Sequence, residues 1–238
     1  MESPDPHKPF KNKVLSSLPT AEINCLAPHL VSRTFRRNLT LYSPGQRVDT
    51  VYFLEGGLCS IVVTVETGSS IEVGIIGRDS FVGLPAFLGN GESLGRSMIQ
   101  VAGAGYCVKA SILEEQIGEG ASQLRLWLQR GLQGLLAQAV QSAACNRLHT
   151  LDERLARWLL MCRDRVQLDD LPITHEFLSM MLGASRSCVT VAAGTLQKAG
   201  LITCARGRVR IENRKGLEDA SCECYSIVHN EYVRLGLL

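Results

Sequence analysis

The residues best suited to a chemical task form a cluster of cations near the C-terminus. Between positions 185 and 215 the chain carries seven Lys or Arg against a single acid, Glu212, whereas all 238 residues together have a net charge of only +2. The seven cations are Arg186, Lys198, Arg206, Arg208, Arg210, Arg214 and Lys215. A positive charge confined to one short segment is what contact with nucleic-acid phosphates requires. The cluster therefore indicates a nucleic-acid-binding surface.

Two short helices are predicted to position the first of these cations. Thr174 is a good N-cap for one helix, which Gly183 ends, and Ser185 caps a second helix, which Gly200 closes. The predicted buried face of the second helix consists of Val189, Ala192, Ala193 and Leu196, and its opposite face of Arg186, Ser187, Thr190, Val191 and Gly194. The small polar groups and single guanidinium of that opposite face suit a helix lying in the major groove of DNA.

The segment after the second helix is predicted to form a basic β-hairpin, or wing. Residues 201–215, LITCARGRVRIENRK, alternate as a strand, a turn at Gly207 and a second strand. Arg206, Arg208 and Arg210 lie at or beside that turn. The alternative interpretation is purely structural, because many helix pairs with a glycine turn share this pattern. The agreement of caps, turn length, hairpin and charge favours nucleic-acid binding.

The composition argues against several other classes of protein. No Ser/His/Asp, Cys/His or phosphate-loop arrangement has workable spacing, so we do not expect an enzyme. The apolar runs are short and the start, MESPDPHKPFKNK, has no apolar core, which predicts no membrane span, no signal peptide and a cytoplasmic location. A ligand-binding signalling module without DNA binding stays open as an alternative function, although it does not explain the basic wing.

Nine cysteines are scattered along the chain, an odd number that fits no disulfide framework. Cys222 and Cys224 form the one close pair, and on a helix their side chains would point about 200° apart. We expect no histidine to have a ligand partner at i+3 or i+4. The sequence therefore predicts no metal site, and it identifies no cofactor.

Cys188 raises a separate question, because it lies in the predicted first turn of the second helix beside Arg186. A helix N-terminus and a neighbouring cation both favour the thiolate, so this residue is a candidate redox thiol. Its oxidation would add bulk or negative charge at the groove and weaken DNA binding. The alternative is an inert thiol packed under the helix, and the sequence leaves both open.

Upstream of the helix pair, the sequence predicts a β-rich region and two further helices. Residues 31–108 contain short β-rich runs separated by turn signals, which is typical of an antiparallel sandwich or roll. A long helix covers about 122–149, and after a break near His149 and Thr150 the amphipathic segment LDERLARWLLMCRDRV follows, with Arg157 expected to face solvent. One final helix is predicted over 216–235. The fold class is α+β, with domains at 1–121, 122–149 and 150–238.

The long helix carries two apolar lines, so it must be covered on two sides. One line contains Leu124, Leu128, Leu135 and Cys145, and the neighbouring line contains Leu132, Leu136, Ala139 and Ala143. One side can pack on the roll and the other on the same helix of a second copy. A helix buried within one domain is the alternative, but it would have less need of small residues along the seam. We therefore predict a homodimer through this helix.

This order of parts resembles the Crp/Fnr family of bacterial transcription regulators, in which a cyclic-nucleotide-binding-like β-roll, a long dimer helix and a winged helix-turn-helix follow one another. The resemblance covers nearly the whole chain. Its strongest segments are YSPGQRVDTVYFLEGGLCSI, LDERLARWLL and LPITHEFLSMMLGASRSCVTVAAGTLQKAGLI. It implies a DNA-binding transcription regulator whose partners are double-stranded DNA, a second copy of the chain and RNA polymerase.

The resemblance also assigns roles in the DNA-binding unit. Arg186 matches the recognition-helix arginine that reads a guanine, a base edge that suits the guanidinium fork. Ser187 and Val191 stand where members of the family carry a base-reading glutamate and a second arginine, so the operator should differ from theirs. Thr174, His175 and Ser185 match positions near phosphates.

An effector pocket in the roll, at Gly83, Leu84, Arg96 and Ser97, is implied by the same resemblance. Cyclic-nucleotide binders hold the ribose hydroxyl with a glutamate, but Leu84 stands at that position and cannot accept a hydrogen bond. Arg96, in contrast, keeps a cation that can pair with an anionic phosphate. Cyclic AMP is therefore not the expected effector, and its identity stays open. The family's oxygen sensors need a cysteine cluster near the N-terminus, where only Cys25 lies, which argues against an iron–sulfur sensor.

Overall fold

The computed structural model describes residues 10–118 and 122–238. The predicted first domain begins at residue 1 and ends at residue 121, and both positions lie outside the described residues. Two short helices come first, α1 (Lys13–Ser16) and α2 (Thr20–Leu26). The Asn12 side chain caps α1 and also donates to the carbonyl oxygens of Leu54 and Ser80, at 3.1 and 2.8 Å. This buried amide therefore attaches α1 to the sheets that follow.

Seven strands form the antiparallel roll that was predicted for residues 31–108. They are β1 (Val31–Phe35), β2 (Thr40–Tyr42), β3 (Thr50–Leu54), β4 (Leu58–Thr64), β5 (Ser70–Ile76), β6 (Arg96–Val101) and β7 (Gly103–Lys109). One sheet has the strand order β1-β7-β3 and the other β2-β6-β4-β5. Gly57 permits the tight turn between β3 and β4, because its φ is +89° and a Cβ there would lie 2.6 Å from the Val101 carbonyl oxygen.

Three helices connect the roll to the C-terminal part of the chain: α3 (Ala110–Gly118), α4 (Gln123–Leu148) and α5 (Leu151–Val166). The predicted break between α4 and α5 is confirmed, since His149 and Thr150 both have extended backbones. Thr150 and Glu153 then form a capping box that starts α5. The two long helices are therefore separate elements joined by a hinge at His149 and Thr150.

The C-terminal unit contains a three-stranded sheet and four further helices. Its elements are β8 (Asp170–Leu171), α6 (His175–Leu182), α7 (Arg186–Lys198), β9 (Ile202–Ala205), β10 (Arg208–Ile211), α8 (Arg214–Ala220) and α9 (Cys224–Arg234). The strand order is β8-β10-β9. The prediction of one final helix over 216–235 is wrong, because the extended backbone of Ser221 separates α8 from α9.

The roll and the C-terminal unit share one apolar core and several buried polar contacts. Arg165 on α5 pairs with Asp79 of the roll at 3.0 Å, and the Trp158 indole donates to the Glu72 carboxylate at 2.6 Å. Burial raises the pKa of Glu72 to about 7, because the hydrogen bond from Trp158 offsets only part of the desolvation. Arg157 is also buried, where it donates to Ser142 on α4. Its expected solvent exposure is wrong, because α4 covers that face of α5.

Within the part of the chain that the structure describes, no single helix has both the length and the apolar composition to cross a membrane. The pair α6 and α7 passes that test by length and composition only, and the two helices are bent by 106° relative to each other.

Candidate nucleic-acid interface

The two helices around Gly183 form a compact helix-turn-helix. Gly183 has a left-handed backbone with φ of +59°, a conformation that glycine adopts at low cost and that ends α6. The hydroxyl oxygens of Thr174 and Ser185 accept hydrogen bonds from the backbone N–H groups of Phe177 and Cys188, both at 3.2 Å. Both predicted N-caps are therefore confirmed. Together with the turn, they fix the angle of 106° between α6 and α7.

The two faces of α7 differ as the sequence predicts. Val189, Ala192, Ala193 and Leu196 are buried, whereas Arg186, Ser187, Thr190 and Val191 are exposed. Val191 is the only large apolar residue of the exposed face, and 70% of its surface is accessible. The side chain of Arg186 is therefore available to a ligand, and the protein's own packing does not cover it.

Short polar contacts organise the start of α7. The Thr190 hydroxyl donates to the backbone carbonyl of Arg186 at 2.9 Å and lies 3.1 Å from Nδ1 of His175. The hydroxyls of Ser185 and Ser187 are 2.9 Å apart. These contacts bring residues from both helices to one surface.

The wing lies beside the start of α7. Arg206 and Gly207 form its two-residue turn with positive φ angles of 49° and 76°, the geometry that suits a tight hairpin. A cleft of about 300 Å³ lies between the wing and the helix pair, and its lining includes Thr174, His175, Arg186, Arg206 and Arg208. The structure thus brings these five sequence-predicted residues to one cleft.

Intramolecular ion pairs reduce the free positive charge of the wing. Arg208 contacts Asp170 on β8 at 2.8 Å, and Arg210 contacts Glu212 at 3.5 Å. The hydrogen bond from Arg208 lowers the pKa of the Asp170 carboxyl. Within the described residues, Arg186 and Arg206 have no ion pair. These two guanidinium groups are therefore the ones available to a nucleic acid without breaking an internal contact.

Two family models match the chain in the units described above. A Crp-like helix-turn-helix domain matches residues 153–220, and a cyclic nucleotide-binding domain matches residues 32–107. The chain belongs to the Crp/Fnr family. It is a DNA-binding transcription regulator and not an enzyme, as the sequence predicts.

Individual relatives agree with this assignment to the Crp/Fnr family. The global nitrogen regulators of Nostoc sp. and Synechocystis sp. are each 25% identical, over 76% and 77% of this chain and 85% of each relative. Among solved structures, FixK2 from Bradyrhizobium japonicum has a TM-score of 0.68 at 18% identity, and covers 81% of this chain and 98% of its own. The c-di-GMP-responsive regulator CLP from Xanthomonas campestris has a TM-score of 0.67 at 16% identity, and the match covers 81% of this chain and 99% of CLP. At these identities the two structures show the fold alone.

The four residues that the Crp/Fnr resemblance places in an effector pocket lie in two places. Gly83 precedes a short 3-10 helix, Leu84–Phe87, and Leu84 lines an open groove of about 580 Å³ against α3 and α4. Arg96 and Ser97 are not among the residues that line this groove. Arg96 instead lies 4.0 Å from the Met180 sulfur of α6, and Ser97 is buried in β6. The groove at Leu84 thus lacks Arg96, the cation that was expected to bind the anionic group of an effector.

Cys188 is exposed in the first turn of α7. The alternative of a thiol packed under the helix is therefore wrong. Redox reactivity at Cys188 stays a prediction.

The sequence interpretation missed a group of possible ligands that the fold assembles. Cys145, His149, Cys222 and Cys224 place one ligand atom each within 4.8 Å of one another. The expectation that no histidine has a ligand partner at i+3 or i+4 did not consider residues earlier in the chain, and Cys145 lies four residues before His149 at the end of α4. That Cys-x-x-x-His spacing was the available signal. Cys222 and Cys224 do not share a helix, because α9 begins at Cys224. The argument that a helix would point their side chains about 200° apart is therefore wrong.

Proposed function

We propose that this protein is a sequence-specific transcription regulator that binds an operator as a homodimer, with α7 reading the major groove. The observation that carries the proposal is the bare Arg186, which begins an exposed polar face and has the basic wing beside it. A guanidinium fork in this position suits the O6 and N7 acceptors of guanine. The neighbouring side chains of Ser187, Thr190 and Val191 would contact adjacent base edges.

The surrounding residues suit contacts with the DNA backbone. Thr174, His175 and Ser185 lie at the N-terminal ends of α6 and α7, where backbone N–H groups and the helix dipole favour a phosphate. Arg206 at the tip of the wing would add a direct phosphate contact. Arg208 and Arg210 would contribute by exchanging their carboxylate partners, Asp170 and Glu212, for DNA phosphates. Such contacts set the register of the protein on the duplex, while α7 supplies the sequence preference.

The open side of α4 supports the homodimer. Leu136 and Val140 are 60% and 62% exposed and Ala143 is also exposed, whereas Leu124, Leu128 and Cys145 of the other line are buried. Pairing of two such faces would bury them and create a two-fold axis along α4. Two recognition helices related by that axis must then be spaced by about one DNA turn, roughly 34 Å.

A conformational switch would set that spacing. In the proposed division, residues 1–121 respond to an effector, 122–149 form the dimer helix and 150–238 bind DNA. An effector other than cyclic AMP, bound in the groove between Leu84 and α4, would shift the population of arrangements of the hinge at His149 and Thr150. The family resemblance implies RNA polymerase as a further partner. The protein would meet it in the cytoplasm.

Selection from a random pool of duplexes tests the proposal directly. The purified chain should enrich a two-fold symmetric sequence whose half-sites are centred about one helical turn apart. Repeating the selection with cell extract would reveal whether an effector is needed. Enrichment of no sequence in either condition would contradict the proposal and favour the alternative, a signalling module without DNA binding.

Replacing Leu136 and Val140 with glutamate should convert the dimer into a monomer. Two carboxylates per chain at the paired face would meet their copies across the two-fold axis and would lose solvation on association. Analytical ultracentrifugation measures the mass. Leu94→Glu is the matched control, because Leu94 is 91% exposed on the roll and should leave the mass unchanged. A dimer that survives the double substitution would place the interface elsewhere.

Replacing Arg206 with glutamine should weaken binding to all duplexes alike and lower the slope of log K against log salt by about 1 per half-site. The reason is the loss of one phosphate contact and of the counterions it releases. Fluorescence anisotropy at several salt concentrations measures the slope. Arg47→Gln on the roll removes the same charge from an exposed position and should leave the slope unchanged. An unchanged slope for Arg206→Gln would remove the wing tip from the interface.

A further inference from the structure

The end of α4 and the start of α9 bring three cysteines and one histidine together. The Cys145 and Cys222 sulfur atoms are 3.5 Å apart, and the Cys224 sulfur lies 3.5 Å from Nδ1 of His149. All four ligand atoms lie within 4.8 Å of one another. The three cysteines are buried and His149 is half-buried, so the group is enclosed by protein.

Local backbone structure explains why these four residues meet. Cys145 and His149 are four residues apart, which places both on one face of the last turn of α4. Cys222 lies in the break after α8, where Ser221 is extended, and Cys224 begins α9. Because the chain turns between these two cysteines, both thiols point toward the end of α4.

We propose that Cys145, His149, Cys222 and Cys224 bind one zinc ion in a closed tetrahedral site. Zn–S bonds of about 2.3 Å and Zn–N bonds of about 2.0 Å give tetrahedral edges of about 3.8 Å between sulfurs and about 3.5 Å between sulfur and nitrogen. The two measured separations approach these edges. On binding, the three thiols lose their protons to solvent as three Zn–S bonds form, and neutral His149 donates a lone pair from Nδ1.

Two neighbouring side chains support the assignment because they suit the ligands. The Glu223 carboxylate lies 3.2 Å from Nε2 of His149, so it can hold the ring in the tautomer that leaves Nδ1 free for the metal. The Gln141 amide donates to the Cys224 sulfur at 3.1 Å, a contact that stabilises a thiolate. The four ligand atoms are too close together to enclose a cluster of several irons, which favours a single ion.

The position of the site suggests a structural role. Cys145 and Cys222 are 77 residues apart in the sequence, and the whole helix-turn-helix lies between them. Cys145 lies in the last turn before the hinge between α4 and α5, and His149 is part of that hinge. A metal bound by four protein ligands would therefore tie the end of the dimer helix to α9 and restrict movement at that hinge. The metal site itself does not depend on the proposed DNA binding.

Metal analysis of the purified full chain tests this proposal. Under reducing conditions, inductively coupled plasma mass spectrometry should find about one zinc per chain, and cobalt substitution should give the d–d absorption of a tetrahedral thiolate site. A competing chelator should remove the zinc and lower the melting temperature. His149→Ala should lower zinc affinity strongly, and Gln141→Ala should lower it by about 10- to 100-fold.

Matched controls separate loss of the metal from loss of the fold. His29→Ala and Cys25→Ser change exposed residues outside the cluster and should keep wild-type zinc content. Circular dichroism should show the same helix content for all four variants. The proposal is overturned if reduced wild-type protein takes up no zinc, if it contains iron with inorganic sulfide, or if His149→Ala binds zinc as the wild type does. A metal-free protein with a Cys145–Cys222 disulfide would overturn it as well.

Discussion

Arg186→Ala should lower affinity for the selected operator by about 5- to 150-fold per half-site, which corresponds to about 1 to 3 kcal/mol. The reason is the loss of a bidentate contact with one guanine, which leaves its two acceptors without a partner in the groove. Because α7 is held by its buried face, removal of this exposed side chain should not disturb the fold. Anisotropy titrations with the operator and with a scrambled duplex measure the two affinities.

The pattern of losses identifies the role of Arg186 more sharply than the size of one loss. Affinity for the scrambled duplex should fall much less than affinity for the operator, and base preference should relax at one position of each half-site. Lys198→Ala is the matched control, since it removes one exposed cation from the last turn of the same helix. It should change both affinities by less than the Arg186 substitution does. If Arg186→Ala binds the operator like the wild type, α7 is not the reading helix.

Arg165→Met should lower the free energy of unfolding by about 3 to 5 kcal/mol, because it leaves the Asp79 carboxylate buried without its cation. The two side chains are only 2% and 1% exposed and meet at 3.0 Å. Burial by itself lowers the pKa of Arg165, but the charge of Asp79 and the interactions with Tyr232 and Cys162 together outweigh it, so the pKa lies above its ordinary value. Arg165 also lies over the Tyr232 ring at 4.7 Å, so the pair joins the roll to both α5 and α9.

Urea unfolding of single and double variants isolates the contribution of this pair. Asp79→Asn alone should also be destabilising, and the double variant should cost less than the sum of the two single changes. Arg163→Met is the control on the same helix, because Arg163 forms a surface pair with Asp169 and should cost at most about 1 kcal/mol. Additive single changes would mean that the two charges do not support each other.

The predictions that held depend on neighbours in sequence. The caps at Thr174 and Ser185, the turn at Gly183 and the two faces of α7 follow from side chains within four residues of one another. The same local rules predicted the strands of the roll and the break at His149. The concentration of cations between 185 and 215 was found by counting charged residues along the sequence. Such features are determined by backbone sterics and periodicity, which a sequence states directly.

The features that were missed depend on residues far apart in sequence. Arg157 is buried because α4 covers it, and Arg208 loses part of its free charge to Asp170, 38 residues earlier. Arg96 faces α6 instead of the groove at Leu84, because the C-terminal unit packs against the roll. Cys145 and Cys222 meet only when α9 returns to the end of α4. The sequence by itself therefore determined most of the helices, the strands and the exposed polar face of α7, whereas tertiary packing decided which charges are free and which thiols converge, because such contacts depend on how distant elements pack together.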